Sequence, residues 1–483
     1  MTAHVRLFAL AGGLALSGAA QAHSFGKLYN LPVPFWLYVY GASAALALSF
    51  LLVAFFVTGG AARVAAPIGD AHAPDAAPGA WRGWAWSVLR GVSLGGLLLC
   101  VLTGLFGSAN PYLNFSMTFF WIVFVLGFAY LTALCGDLYA AMNPWRTLVS
   151  ALDRVWPAFS RGRAPYPRAL ATWPALAFYM AFIWIELFGH TTPHSLALAL
   201  LGYSACTLLG LWRFGAEAWF RHGEFFGVFF RLIARMAPLD LTAGRLRWRR
   251  PFVGLLDEGA RDFSEVLFAL FMLSSTAYDG LRDTLPWVQI FWADRTGLIT
   301  AWLGQPPVMA YLQLRPVYAA YESLWLLASP FIYLAVYVAF IALAKTLSRS
   351  TLGVRELALR FAYTLLPIAL VYNVTHYFTL ILTQGVKIVS LLSDPFGWGW
   401  NLLGTAGLFR APIFPDMGTV WHTQVALILV GHVVSVYLAH VEALRSFGTR
   451  RAATLSQLPM LALMMLFTAF GLWILAQPIS SGG

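Results

Sequence analysis

VYNVTHYFTLILTQG, residues 371–385, decides what kind of molecule this chain makes. The run is apolar enough to span a bilayer, yet it carries Asn373, His376 and Gln384 among Val, Leu, Ile, Tyr and Phe. A polar or ionisable group at membrane depth is costly and normally faces a partner or a wet cavity. The stretch therefore predicts a transmembrane helix with His376 turned inward. The remaining helices become the scaffold that brings polar groups to it.

Working outward, the 483-residue chain is 60% hydrophobic and 11% charged. Soluble domains carry about a quarter charged residues, so the composition is that of an integral membrane protein. The 20 Trp, 19 Tyr and 37 Phe suit the two headgroup levels, where aromatic rings gather. Cys100, Cys135 and Cys206 lie inside apolar spans without CxxC spacing, so they read as core residues and not as a disulfide framework or zinc knuckle. Residues 1–22 read as a secretory signal: Arg6, a short apolar run from Leu7 to Ala19, then Ala20-Gln21-Ala22 as a cleavage pattern. Cleavage makes His23 the mature N-terminus, where the terminal amine and the imidazole together can chelate a metal ion.

About ten spans of suitable length follow, near 35–57, 85–107, 117–139, 170–188, 194–213, 263–281, 322–345, 358–382, 419–441 and 459–477. The expected fold is an all-α polytopic helix bundle, one domain over residues 23–483. Loops after the odd-numbered spans are basic, with Arg63, Arg146, Arg163, Arg247, Arg349 and Arg450 among them, whereas Ser108–Ser116 and Gly189–Pro193 have no Lys or Arg. Positive loops stay cytoplasmic. The expected setting is a bacterial inner membrane with both mature termini periplasmic, a basic cytoplasmic loop at 214–262, and outer loops at 282–321 and 383–418.

The run Arg245-Leu-Arg-Trp-Arg-Arg250 is explained by topology and anionic lipid, which removes nucleic acid as a partner. Glu224–Met236 sets Phe225, Phe226, Phe229, Phe230 and Ile233 at helical spacing with Arg231 and Arg235 nearby, which predicts a helix lying in the interface plane. Pro286–Pro307 reads as a re-entrant or surface-lying lid, and Ser393–Trp400 as a turn-rich outer loop.

Polar groups at depth define the candidate site. His376 lies roughly 10–15 Å below the outer boundary, and His432, ten residues into the inward-running span that begins at His422, lies about 15 Å deep. Glu186 and Asp279 sit near outer helix ends. The expectation is a site in the outer leaflet built from His376 and His432 as metal ligands, Glu186 and Asp279 as ligand or catalytic base, and His23 capping it from outside. Imidazole with carboxylate suits a divalent transition metal. The same residues also suit a proton relay. A purely structural role, each His donating to a neighbouring helix carbonyl, is the third reading.

Ala22-His-Ser-Phe-Gly26 with Leu31-Pro-Val-Pro-Phe-Trp-Leu37 and Tyr40-Gly-Ala42, Arg221-His-Gly-Glu224, Ser274–Gly280, Val374-Thr-His-Tyr377, Ser393–Asn401, Gly431-His-Val433 and Ala439-His440 form a series over most of the chain. In that order they resemble a family of bacterial multi-pass membrane proteins named fenitrothion hydrolase. Ser24 stands where the family usually has Gly, and His190 and His194 lie outside its pattern. The resemblance implies hydrolysis of an apolar organophosphorus triester to a nitrophenol and a dialkyl thiophosphate. It carries no catalytic residues with it. A metal ion would provide both the activated hydroxide and the Lewis acid this needs. The sequence has no G-x-S-x-G elbow, Walker A loop or H-E-x-x-H. The competing expectation is a metal-ion or proton-coupled transporter using the same histidines. A second membrane subunit stays open as a partner.

Overall fold

The computed structural model describes residues 33–57, 80–240, 247–409 and 416–477. The signal segment and His23 lie outside them. Among the described residues the chain is an all-α helix bundle, with one two-residue antiparallel ladder pairing Leu239 with Trp248 and Asp240 with Arg247. Its helices are α1 (Phe35–Phe56), α2 (Ala80–Phe106), α3 (Phe115–Cys135), α4 (Leu138–Met142), α5 (Pro144–Val155), α6 (Trp173–Phe188), α7 (Pro193–Phe214), α8 (Ala216–His222) and α9 (Phe225–Ala234). Then come α10 (Phe263–Arg282), α11 (Leu285–Trp292), α12 (Leu298–Leu303), α13 (Tyr311–Ser348), α14 (Val354–Phe361), α15 (Leu366–Thr383), α16 (Ile388–Leu391), α17 (Met417–Ser446) and α18 (Arg450–Ala476).

Nine described helical segments are long and apolar enough to cross a membrane. The sixth expected span, 263–281, is outside these nine and forms α10, which has spanning length but carries Glu265, Asp279 and Arg282. It can carry them because it does not face lipid. Every residue from Ser264 to Asp279 is buried, and α6, α13, α15 and α18 pack around it. The charges sit near its two ends with partners: the Tyr363 hydroxyl donates to Glu265 at 2.7 Å, and Arg282 pairs with Asp279. Buried charges persist only when paired in this way. The least apolar of the described helices of spanning length is thus the axis of the bundle.

Two expectations are corrected. The 224–236 segment does not lay an apolar face on lipid; protein covers it. α8 turns back along α7, Glu224 forms the tip, and α9 is buried on nearly every face, Phe230 completely. Its rings interleave with those of α3 and α6, as in Phe230 on Phe128 at 5.1 Å and Phe225 on Phe182 at 5.2 Å between centroids. An amphipathic pattern shows which residues seek apolar surroundings but not whether lipid or protein supplies them. Nor are all three cysteines core residues: Cys100 is buried, but Cys206 is exposed on the outward face of α7. The 286–307 stretch folds as α11 and α12 over a small separate core of Phe291, Ala310 and Leu314. In the 393–400 turns the Asp394 carboxylate accepts from the Trp398 and Gly399 amides.

Candidate functional site

Asp279 is the hub of the polar groups near the C-terminal ends of α6 and α10. Its Oδ2 meets His376 Nε2 at 2.9 Å and accepts the Tyr377 hydroxyl at 2.7 Å. Both come from α15, where adjacent residues normally diverge. They reach one oxygen because α15 packs closely along α10. Arg282, one turn past Asp279, places Nε 3.5 Å from Oδ1, and its Nη1 donates to the Leu187 carbonyl at 3.2 Å. Glu186, on α6 and partly buried, lies within electrostatic reach of Asp279, His376 and Arg282 and beside the Tyr377 hydroxyl. Three of the sequence-derived candidates, Glu186, Asp279 and His376, are therefore brought together on three helices.

Exposure divides the pair. The Asp279 side chain is 2% exposed and that of His376 is 22%. A sequestered carboxylate thus backs an imidazole that solvent or a small molecule can reach. Gly280 keeps the space beside the ring: a Cβ there would come 2.6 Å from Ile474 and 3.7 Å from His376 Cε1. One turn before Tyr377 along α15, the Tyr130 hydroxyl bonds Asn373 and fixes α3 against it.

His432 does not share the level of His376. Gln424 Nε2 donates to the Thr375 carbonyl, and a Cβ on Gly431 would meet Val371 and the Pro367 carbonyl. This antiparallel register of α15 and α17 sets His432 about 10 Å along the helices from His376. Its Nδ1 bonds the Ile428 carbonyl of its own helix at 2.8 Å, and its buried Nε2 has no hydrogen-bond partner among the described residues. The expected depth match fails because α17 enters with two turns of offset that span lengths do not report. His440 is structural: it joins α17 to Gln457 of α18 and to the Val57 carbonyl after α1.

Among the described residues no three His, Cys, Asp or Glu side chains converge as a ligand set. His376 and Asp279 are turned to each other, and His23 is outside the described residues.

One polar centre was missed by sequence reasoning as a site. Glu224 is completely buried and accepts from five donors: the Phe226 and Gly227 amides, Asn143, Tyr139 and Tyr203. It caps the N-terminus of α9 and pins the α8–α9 hairpin to α4 and α7. A charged residue immediately before a phenylalanine-rich run was the available signal, since carboxylates favour helix N-termini.

The chain matches no protein-family model, no curated protein and no solved structure at a significant level.

Proposed function

We propose that this chain is a hydrolase of apolar phosphotriesters of the fenitrothion class, set in the outer leaflet of a bacterial inner membrane. One observation carries the reading: a reachable imidazole held at 2.9 Å by a buried carboxylate. A carboxylate so placed selects the tautomer with the proton on Nε2, leaves Nδ1 as a base, and stabilises the imidazolium that forms. His376 then takes a proton from water as the oxygen bonds to phosphorus. The phosphorus–aryloxy bond breaks and nitrophenolate departs with its electron pair. Such a leaving group needs no strong acid. Tyr377 and Arg282 hold Asp279 oriented. An apolar triester partitions into lipid, which suits a site at this depth. A divalent metal, bound by His376 and Asp279 with a donor such as His23, would instead supply a Lewis acid and a more acidic water.

The test is nitrophenol release by the detergent-purified protein. His376→Gln and Asp279→Asn should each lower kcat by about 10²-fold or more, the usual contribution of a general base. Loss on chelation would assign water activation to a metal, and metal analysis of the purified protein would identify it. Undiminished release in both variants would remove the site. A second reading rests on the contiguity of Glu186, Asp279, His376 and Tyr377 across three helices, an arrangement that also suits a proton relay. Proton flux into proteoliposomes without nitrophenol release would select the transporter.

A further inference from the structure

Away from Asp279, an apolar cavity of about 520 Å³ lies between α2, α3 and α15. Its wall is made of hydrocarbon side chains and rings such as Val92, Leu97, Phe119, Val123 and Ile381, with Ser93 and Cys100 as rare polar interruptions. α3 is unusual here. Thr118–Gly127 is a ten-residue π-helix, and this segment supplies much of the lining. π-helical geometry is rare, usually a single turn, and frequently marks functional sites. Val92 and Leu131 of the lining, with Leu98 beside them, are exposed and apolar, so the cavity opens on an apolar outer face of the bundle.

Gly385, set against Ile122 of the π segment, and Val386 belong to the lining, and the next residue in the chain is Lys387. Its ammonium donates to Gln384 at 2.6 Å and stands 5.1 Å from the centre of the Tyr112 ring. No carboxylate pairs with it among the described residues, and partial burial lowers its pKa. A half-buried ammonium without a carboxylate partner among the described residues, one residue beyond the lining of an apolar groove, is complementary to a phosphate carrying an aliphatic chain. Lys binds phosphate as a point charge. The groove follows α2 from Val92 to Cys100, about 12 Å, close to the ~15 Å hydrocarbon depth of one leaflet.

We infer that this cavity is a binding site for one anionic phospholipid, its phosphate at Lys387 and one acyl chain along the π segment of α3. The occupant is a membrane lipid because the opening is toward the bilayer, where such chains are the solvent. The inference is independent of the proposed hydrolysis, since none of the residues it uses belongs to the Asp279 cluster.

The protein would be reconstituted in nanodiscs of equal phosphatidylglycerol and phosphatidylcholine, extracted in mild detergent, and its retained lipid measured by native mass spectrometry. About one retained phosphatidylglycerol per chain, enriched severalfold over phosphatidylcholine, is expected. Lys387→Gln should abolish the headgroup preference but leave a retained chain. Ser93→Phe and Val123→Phe, which fill the groove from opposite walls, should abolish retention of either lipid. Circular dichroism and size-exclusion profiles establish that each variant is folded, and Lys387→Gln, at a partly exposed position, supplies the test if a filling variant does not fold. Equal retention of the two lipids by the unaltered protein, or unchanged retention in Lys387→Gln and in a folded filling variant, would overturn the inference.

Discussion

At the residue scale the bundle concentrates its polar chemistry in two carboxylates with opposite surroundings. Asp279 shares its oxygens among a hydroxyl, an imidazole and a guanidinium from two helices. Tyr377→Phe removes one donor and leaves the other two. It should cost about 1 kcal/mol of stability, within the range measured for polar contacts in membrane bundles, and lower nitrophenol release by loosening Asp279. Thermal unfolding and kcat report the two effects separately. Glu224 is held by five donors, yet burial still raises its carboxyl to about 7. The folded chain therefore binds this proton more tightly than an unfolded one, whose Glu titrates near 4.3. Stability from this group falls as pH climbs between about 4.3 and 7, and is flat above. Glu224→Gln should remove that slope in denaturation midpoints. It should also cost about 1–3 kcal/mol, because its amide sets N–H against the Phe226 or Gly227 N–H.

At the element scale, burial inside the protein separates α9 from the surface helix its amphipathicity suggested. If α9 lay on the membrane, Phe230→Ala would leave the bundle intact. Packed as it is against Phe124, Phe128 and Tyr139, the substitution should cost about 3–5 kcal/mol in unfolding experiments. Helix spacing offers a second check. Gly471 of α18 lies under the Tyr372 ring of α15, and a Cβ there would fall 0.8 Å from the hydroxyl oxygen. Gly471→Ala should prevent the two helices from closing and yield aggregated protein on size exclusion. Adding Tyr372→Ala should restore a monodisperse peak, because the two positions form one contact and their effects are not additive. The sequence signalled α15 and α17 as helices and located their histidines, but not the stagger between them. Stagger is set by where small residues such as Gly431 admit a neighbouring helix.

At the scale of the whole molecule, composition and segment length were enough for the fold class. A bilayer admits an isolated hydrophobic segment only as a helix with its backbone bonded internally, so each apolar run announces its own structure. Glu186, Asp279 and His376 were legible as candidates for the same reason: each is an expensive group at depth, and cost singles it out. The contacts among them were not legible. That Asp279 faces His376, that His432 lies about 10 Å along the helices from it, that α10 forms the axis, and that a groove opens beside the π segment of α3 all depend on which helix faces are turned toward each other. Rotation and register are settled by side-chain packing between residues far apart in the chain, and no single segment contains that information.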